Sequence, residues 1–263
     1  MAQEPRDKFH FFIGATGQSE PFTSPSSGPR KTKELPSLDR QEHGLRLRGD
    51  LAVVRETANS IKDELDSVIL QGPVGIQVEF ESLPGVELAF QSLASERSKD
   101  GAKNIELLSV VERGDRVLAT VFVPDGKLDT FEKKITEYLE DKKTRAGVSA
   151  DNKPLINTID SIRHATLEAL WTDSFEVFPQ DESEEIWWEV WLSARGGRTK
   201  LVNDFVALGS AAGITVSMET IAFPERTVLM AKGSRKQFTS SAGLLNCIAE
   251  VRLAKETAEF FDA

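Results

Sequence analysis

Three histidines, one cysteine and scattered serines are the residues of this chain with nucleophile or base chemistry, and their spacing speaks against a catalytic site. A serine hydrolase needs a nucleophile, a histidine base and an orienting carboxylate in mutual reach. His10 stands in a Ser/Pro/Gly-rich arm, His43 follows Arg40-Gln41-Glu42 at the charged start of a helical pattern, and His164 follows Arg163 on another. His43 is expected solvated on the helix surface, and His164 at a surface or an interface. No serine occupies a Gly-X-Ser-X-Gly elbow, and Ser240-Ser241-Ala242-Gly243 reads as helix. No catalytic residue is therefore expected.

Metal and cofactor signals are equally thin. There is no cysteine pair, no histidine pair at helical spacing and no HExxH. The run Asp181-Glu182-Ser183-Glu184-Glu185 is expected as a solvated acidic loop. Gly196-Gly197 lacks the Walker lysine and the spaced Rossmann glycines, and reads as a strand-to-helix turn. Cys247 lies in the apolar run Leu244-Leu245-Asn246-Cys247-Ile248, as a buried structural thiol would. No metal and no cofactor are expected.

The tryptophans are the remaining candidates. On the strand Ile186 to Leu192, Trp187 and Trp191 share one face and Trp188 points to the other. The first face is expected in the core, with Trp188 partly exposed. An indole on an open sheet face suits a protein partner, so Trp188 is the candidate partner-binding anchor. Phe260 and Phe261 are weaker candidates beside it. RNA bases could stack on the same surface, but the formal charge of -10 and the missing RNP signature argue against nucleic acid.

These residues are carried by a repeating pattern. Residues 1–38 read as a flexible arm, since Thr, Ser, Pro and Gly cannot bury enough apolar surface to offset ordering. Asp39 to Asp66 has leucine and valine at three- and four-residue spacing, a long helix weakened by Gly44 and Gly49. A strand over Val74–Phe80, a short helix over Val86–Arg97, a hairpin around Arg113-Gly114-Asp115 and a helix from Leu128 to about Lys143 follow. Residues 144–184 are expected to hold a linker and a connecting helix, roughly Pro154 to Leu170. From 185 to 263 the order is strand, helix, strand, strand, helix, strand. The fold class is α+β: two ferredoxin-like, split-βαβ modules with antiparallel sheets, spanning 39–143 and 185–263, behind the arm and the long helix.

The N-terminus has mixed charge and no signal-peptide core, and no stretch approaches the roughly 18 apolar residues of a membrane span, so a cytoplasmic protein without membrane contact is expected.

Several blocks resemble the N-terminal region of a group of large bacterial subtilisin-like serine proteases. They are HFFIGATGQSEPFTSP in the arm, Asp39-Arg40-Gln41 at the start of the long helix, Val78-Glu79-Phe80-Glu81-Ser82, the segment from Ala119 to Leu128, the segment from Ile162 to Asp173, the strand from Trp187 to Leu192, Phe223-Pro224-Glu225-Arg226-Thr227-Val228, and the stretch from Arg252 to Ala258. They are kinship blocks rather than catalytic motifs. The resemblance implies that the subtilase domain, with its Asp, His and Ser motifs, follows Ala263 or acts in trans. No family catalytic residue falls on this chain. The second module is also similar in layout to a subtilisin propeptide, which covers the protease and assists its folding. The implied function is a non-catalytic, propeptide-like or regulatory region that docks on a subtilisin-like protease domain. The alternative is an independent protein- or ligand-binding module.

Overall fold

A computed structural model describes residues 35–65, 70–94, 104–147 and 149–255. Helix α1 (Arg40–Leu65) opens with the Asp39 carboxylate accepting from Glu42 N at 2.8 Å, which satisfies a first-turn donor. His43, Leu47, Leu51 and Val54 form its buried stripe, at the spacing of one helical face. Gly44 has a packing reason: a Cβ there would meet Leu139 Cδ2 at 2.5 Å, so its absence lets α1 approach the neighbouring helix.

That helix covers a sheet made of β1 (Gly75–Ser82), β2 (Glu106–Arg113), β3 (Arg116–Pro124) and β4 (Ile159–His164), in the order β2-β3-β1-β4, all antiparallel. Helix α2 (Asp129–Leu139) lies beside α1, and the short α3 (Lys153–Ile156) leads into β4. Ile76, Val78 and Phe80 of β1 and Ala119, Val121 and Val123 of β3 alternate onto one face, where they meet Leu47, Leu51, Val54, Phe131, Ile135 and Tyr138.

The structure corrects two expected helices here. Pro154–Leu170 is not a connecting helix. It is α3, then β4, then a 3-10 turn at Leu167–Leu170. The misleading signal was Ile159 and Ile162, three apart like helix neighbours. The β1–β4 pairing shifts register between Glu81 and Ser82, and this irregularity brings both isoleucines into the first core. Of the helix expected over Val86–Arg97, the described part is irregular apart from a 3-10 turn at Phe90–Ser92; Leu88 and Leu93 still reach the core.

The second sheet comprises β5 (Ile186–Ser193), β6 (Thr215–Ala222), β7 (Arg226–Gly233) and β8 (Ile248–Leu253), ordered β6-β7-β5-β8 and again antiparallel. The strand permutation is the same as in the first sheet. Both modules are thus α+β with ferredoxin-like strand order. Helices α4 (Arg198–Ala211), α5 (Arg235–Phe238) and α6 (Ala242–Cys247) serve the second; the last two replace one expected helix, and Ser234 and Ser241 cap them separately.

The described residues from Leu35 on form one compact unit. The face of the first sheet turned away from α1 is covered by the second module. Leu108 and Phe122 from that face belong to the second core, with Leu170, Trp171, Trp188 and Phe205. Polar groups on the buried side find partners across the join, as burial requires. Gln77 Nε2 donates to Leu245 O at 2.9 Å and also to Ile248 O. Asn246 Nδ2 donates to Pro73 O and its Oδ1 accepts from Gly75 N, both at 3.2 Å. Asp204 accepts from the amides of Gln71 and Gly72. No helix among the described residues is long and apolar enough to cross a membrane.

Candidate functional site

Strand alternation divides β5 into two rows. Trp188, Val190 and Leu192 face α4 and α6 and are fully buried. Trp187, Glu189 and Trp191 face outward, and Trp187 is 44% exposed. This reverses the expected orientation. Trp188 is a core residue and not an exposed anchor. Its Nε1 donates to Gly233 O at 2.8 Å, and its ring meets Trp171 edge-on at 5.8 Å and Phe238 at 5.1 Å. An indole can be buried this deeply because its one polar group is satisfied inside. The deciding signal was present in the sequence: the row of Trp188 holds only apolar Val190 and Leu192, whereas the row of Trp187 and Trp191 includes Glu189. Phe260 and Phe261 lie outside the described residues.

The outward face is the candidate site. Cross-strand pairing sets Trp191 opposite Val228 and Val228 opposite Ile221, so these three share a row across β5, β7 and β6. Phe223, just past β6, stacks on Trp191 with centroids 5.5 Å apart and planes 13° from parallel. Arg252 of β8 lies over the other part of the cluster, 4.7 Å from the Trp191 ring. Trp191 Nε1 donates to Glu189 Oε1 at 2.7 Å, and Arg252 pairs with Glu250. The charges on this face are thus largely satisfied among themselves. Trp187, Ile221 at 63% exposure and Phe223 remain presented, with the exposed Lys232 opposite Trp187. A groove of about 480 Å³ runs beside Trp187, lined also by Ser217, Met230, Leu253, Ala254 and Lys255. The chain leaves β8 at this groove, where Ala254 N donates to Trp187 O at 3.1 Å. Such a surface can take up apolar groups of a partner; its described residues hold no nucleophile–base pair.

His43 is placed differently from expectation, and His10 lies outside the described residues. His43 is buried, with Nε2 3.0 Å from Ile156 O and Nδ1 3.2 Å from Arg46, so it ties α1 to α3. His164 ends β4 rather than lying on a helix, and lines a cleft of about 230 Å³ between the modules with Gln77, Thr239, Ser240 and Asn246. Burial lowers its pKa. Ser240 Oγ donates to Gln237 O at 2.7 Å, so its proton is committed to the backbone. Cys247 is buried, and burial pushes its thiol up to about 12. Among the described residues no group of three or more His, Cys, Asp or Glu is placed to hold a metal ion.

Residues 41–166 match the family model described as the Y4kK N-terminal domain. The matched stretch starts one residue into α1 and ends two residues after β4, so it covers the first module with its fourth strand. No curated protein and no solved structure matches the chain. The outward face around Trp187 lies beyond the matched residues.

Proposed function

We propose that this chain is the non-catalytic, propeptide-like or regulatory N-terminal region of a bacterial subtilisin-like serine protease, and that it docks on the protease domain in cis or in trans. The observation that carries the reading is the outward face of the second sheet, where Trp187, Ile221 and Phe223 are exposed on one side of a ferredoxin-like module. An antiparallel sheet with helices on one face can offer the other to a partner. Trp187 takes the anchoring role first expected of Trp188, because a large indole beside a groove is the kind of residue that dominates a small interface. The family model over the first module is itself described as an N-terminal domain, which supports a place ahead of another domain. A non-enzymatic role and a cytoplasmic location belong to the same proposal.

The test begins with the reading frame beyond Ala263, expected to encode Asp-Thr-Gly, His-Gly-Thr and Gly-Thr-Ser motifs. The protease domain, expressed separately, is then mixed with this chain and binding and residual peptidase activity are measured. Trp187→Ala is expected to weaken the complex and leave the melting temperature unchanged. If the motifs are absent, or folded partners do not bind, the independent binding module replaces this reading. The cleft at His164, between the modules, favours that second reading, since ligand pockets occur preferentially at such junctions.

A further inference from the structure

Four strands terminate the two sheets: β2 and β4 in the first, β6 and β8 in the second. An edge strand presents backbone N–H and C=O groups without ladder partners. Three of these edges carry a cover or a guard. On β4, Arg46 donates to Asp160 O, and Asp50 accepts from Ile162 N at 3.2 Å. On β8, Thr172 N donates to Val251 O at 3.2 Å, and Asp173 accepts from Leu253 N at 3.1 Å. On β2, Arg226 reaches Leu108 O at 3.4 Å, and the far end carries the charged Glu112 and Arg113.

The fourth edge is different. Strand β6, TVSMETIA, is almost wholly exposed, contains neither lysine nor proline, and has Glu219 as its one charged residue. Among the described residues no backbone group outside the sheet ladder bonds to it; Glu219 N donates to Ser217 Oγ at 3.3 Å within the irregular part, and just past the strand Arg198 donates to Phe223 O. Its protective feature is the register shift between Val216 and Thr220, which leaves regular backbone from Thr220 to Ala222. Phe223 N donates to Arg226 O at 2.9 Å. By antiparallel alternation Ile221 then bonds toward β7, and the amides of Thr220 and Ala222 point away from the sheet. Ile221 and Phe223 are exposed beside this short row and lie on the Trp191 face.

We propose that the β6 edge is a strand-addition site for an extended, neutral-to-basic segment of another polypeptide. The segment pairs its backbone with Thr220 and Ala222 and rests alternate apolar side chains beside Ile221 and Phe223, as strand-adding ligands do. Charge selects the occupant. The chain carries a formal -10 and exposes Glu219 on the edge itself, so a second copy brings like charge to the contact while a basic segment brings the opposite. The inference uses the β6 edge together with Ile221 and Phe223 of the outward face, and does not rest on the subtilase reading.

The test uses the full chain and the probe peptide acetyl-Lys-Val-Thr-Val-Lys-Val-Thr-Val-amide. Binding is expected to slow hydrogen exchange at the amides of Thr220 and Ala222. Thr220→Pro removes one outward donor without touching the β7 ladder and is expected to weaken binding roughly tenfold, whereas Thr220→Ala binds like the parent. Should Thr220→Pro unfold the chain, Ile221→Lys keeps the backbone and is expected to weaken the lysine-bearing peptide by repulsion. Replacing both peptide lysines with glutamate is expected to abolish binding. The proposal is overturned by no binding at millimolar peptide, by protection elsewhere on the chain, by equal affinity for all the variants or by equal affinity for the glutamate peptide. It is also overturned if the chain sediments as a dimer that Thr220→Pro dissociates, since the edge is then occupied by a second copy.

Discussion

The Arg195 guanidinium of the second module lies 3.7 Å from the centroid of the Phe122 ring, which projects from the first sheet. Arg195 is almost wholly buried, and its counter-charge also comes from the first module: Glu106 Oε2, at 3.2 Å. Glu106 further accepts from Ser193 Oγ at 2.7 Å and Arg226 Nη1 at 2.5 Å. Burial alone pushes the Glu106 carboxyl up. The charges of Arg195 and Arg226 and these hydrogen bonds outweigh it and hold the pKa below the usual glutamate value. One carboxylate therefore joins β2 to the ends of β5 and β7.

Glu106→Gln leaves Arg195 buried without its counter-charge, and the expected loss is about 3 kcal/mol in urea denaturation. The sign with pH follows from the lowered value. The folded protein binds the proton less tightly than the unfolded chain, so the contribution is present above the unfolded pKa, near 4.5, and is lost as pH falls through the folded one. The parent should lose stability over this acid range, and Glu106→Gln should lose less. An unchanged urea midpoint in the variant would remove Glu106 from the account of how the modules are joined.

Trp188→Ala should cost about 3–5 kcal/mol, because it empties a fully buried site between Trp171 and Phe238. Trp187→Ala, on the outward face, should stay within about 0.5 kcal/mol. Parallel urea titrations read both. The opposite ranking would mean that the two faces of β5 have been exchanged.

His164 has a folded pKa lowered by burial. The neutral imidazole is favoured in the fold, so its contribution is present above the unfolded value of about 6.5 and is lost as pH falls through the folded value. Stability should decline in this range, and His164→Gln should flatten the decline. A histidine ring titration by NMR that ends at or above 6.5 would contradict the burial of this side chain.

Gly44→Ala sets helix propensity against packing. Alanine gains up to about 1 kcal/mol in an exposed helix interior, yet its Cβ would lie 2.5 Å from Leu139 Cδ2. Overpacking typically costs about 1–3 kcal/mol, so a net loss is expected, together with a changed environment for the adjacent Tyr138. A more stable variant would show that α1 and α2 can move apart freely.

Cys247, with its thiol pushed to about 12, should react with iodoacetamide only after unfolding. Mass spectrometry of native and urea-treated chain at pH 8 measures this, and rapid alkylation of the native protein would place the thiol near solvent.

Much of the fold was legible because apolar residues recur at the period of the element they form. The stripe of Leu47, Leu51 and Val54 marks α1, and the alternation of Ile76, Val78 and Phe80 marks β1. Turns were legible where glycine is required by the backbone, as at Gly114 and Gly213, both at positive φ. The strand-helix-strand-strand-helix-strand order of the second module could likewise be read along the chain, since each element is specified within its own few residues. Three features could not. Strand β4 looks helical because a register shift, a property of its pairing with β1, sets Ile159 and Ile162 in the same core. His43 looks solvated because the carbonyl that receives it, Ile156 O, is over a hundred positions away. The ligature of Glu106, Ser193, Arg195 and Arg226 joins residues up to 120 positions apart, and no local pattern announces it. Periodicity is a local property of the chain, and the sequence determined what it encodes: the elements and their order. Which sheet face is covered by another module, and which edge is left unpaired, depends on what packs against it from elsewhere, and only the tertiary structure decided that the second module covers the first sheet and that β6 is left open.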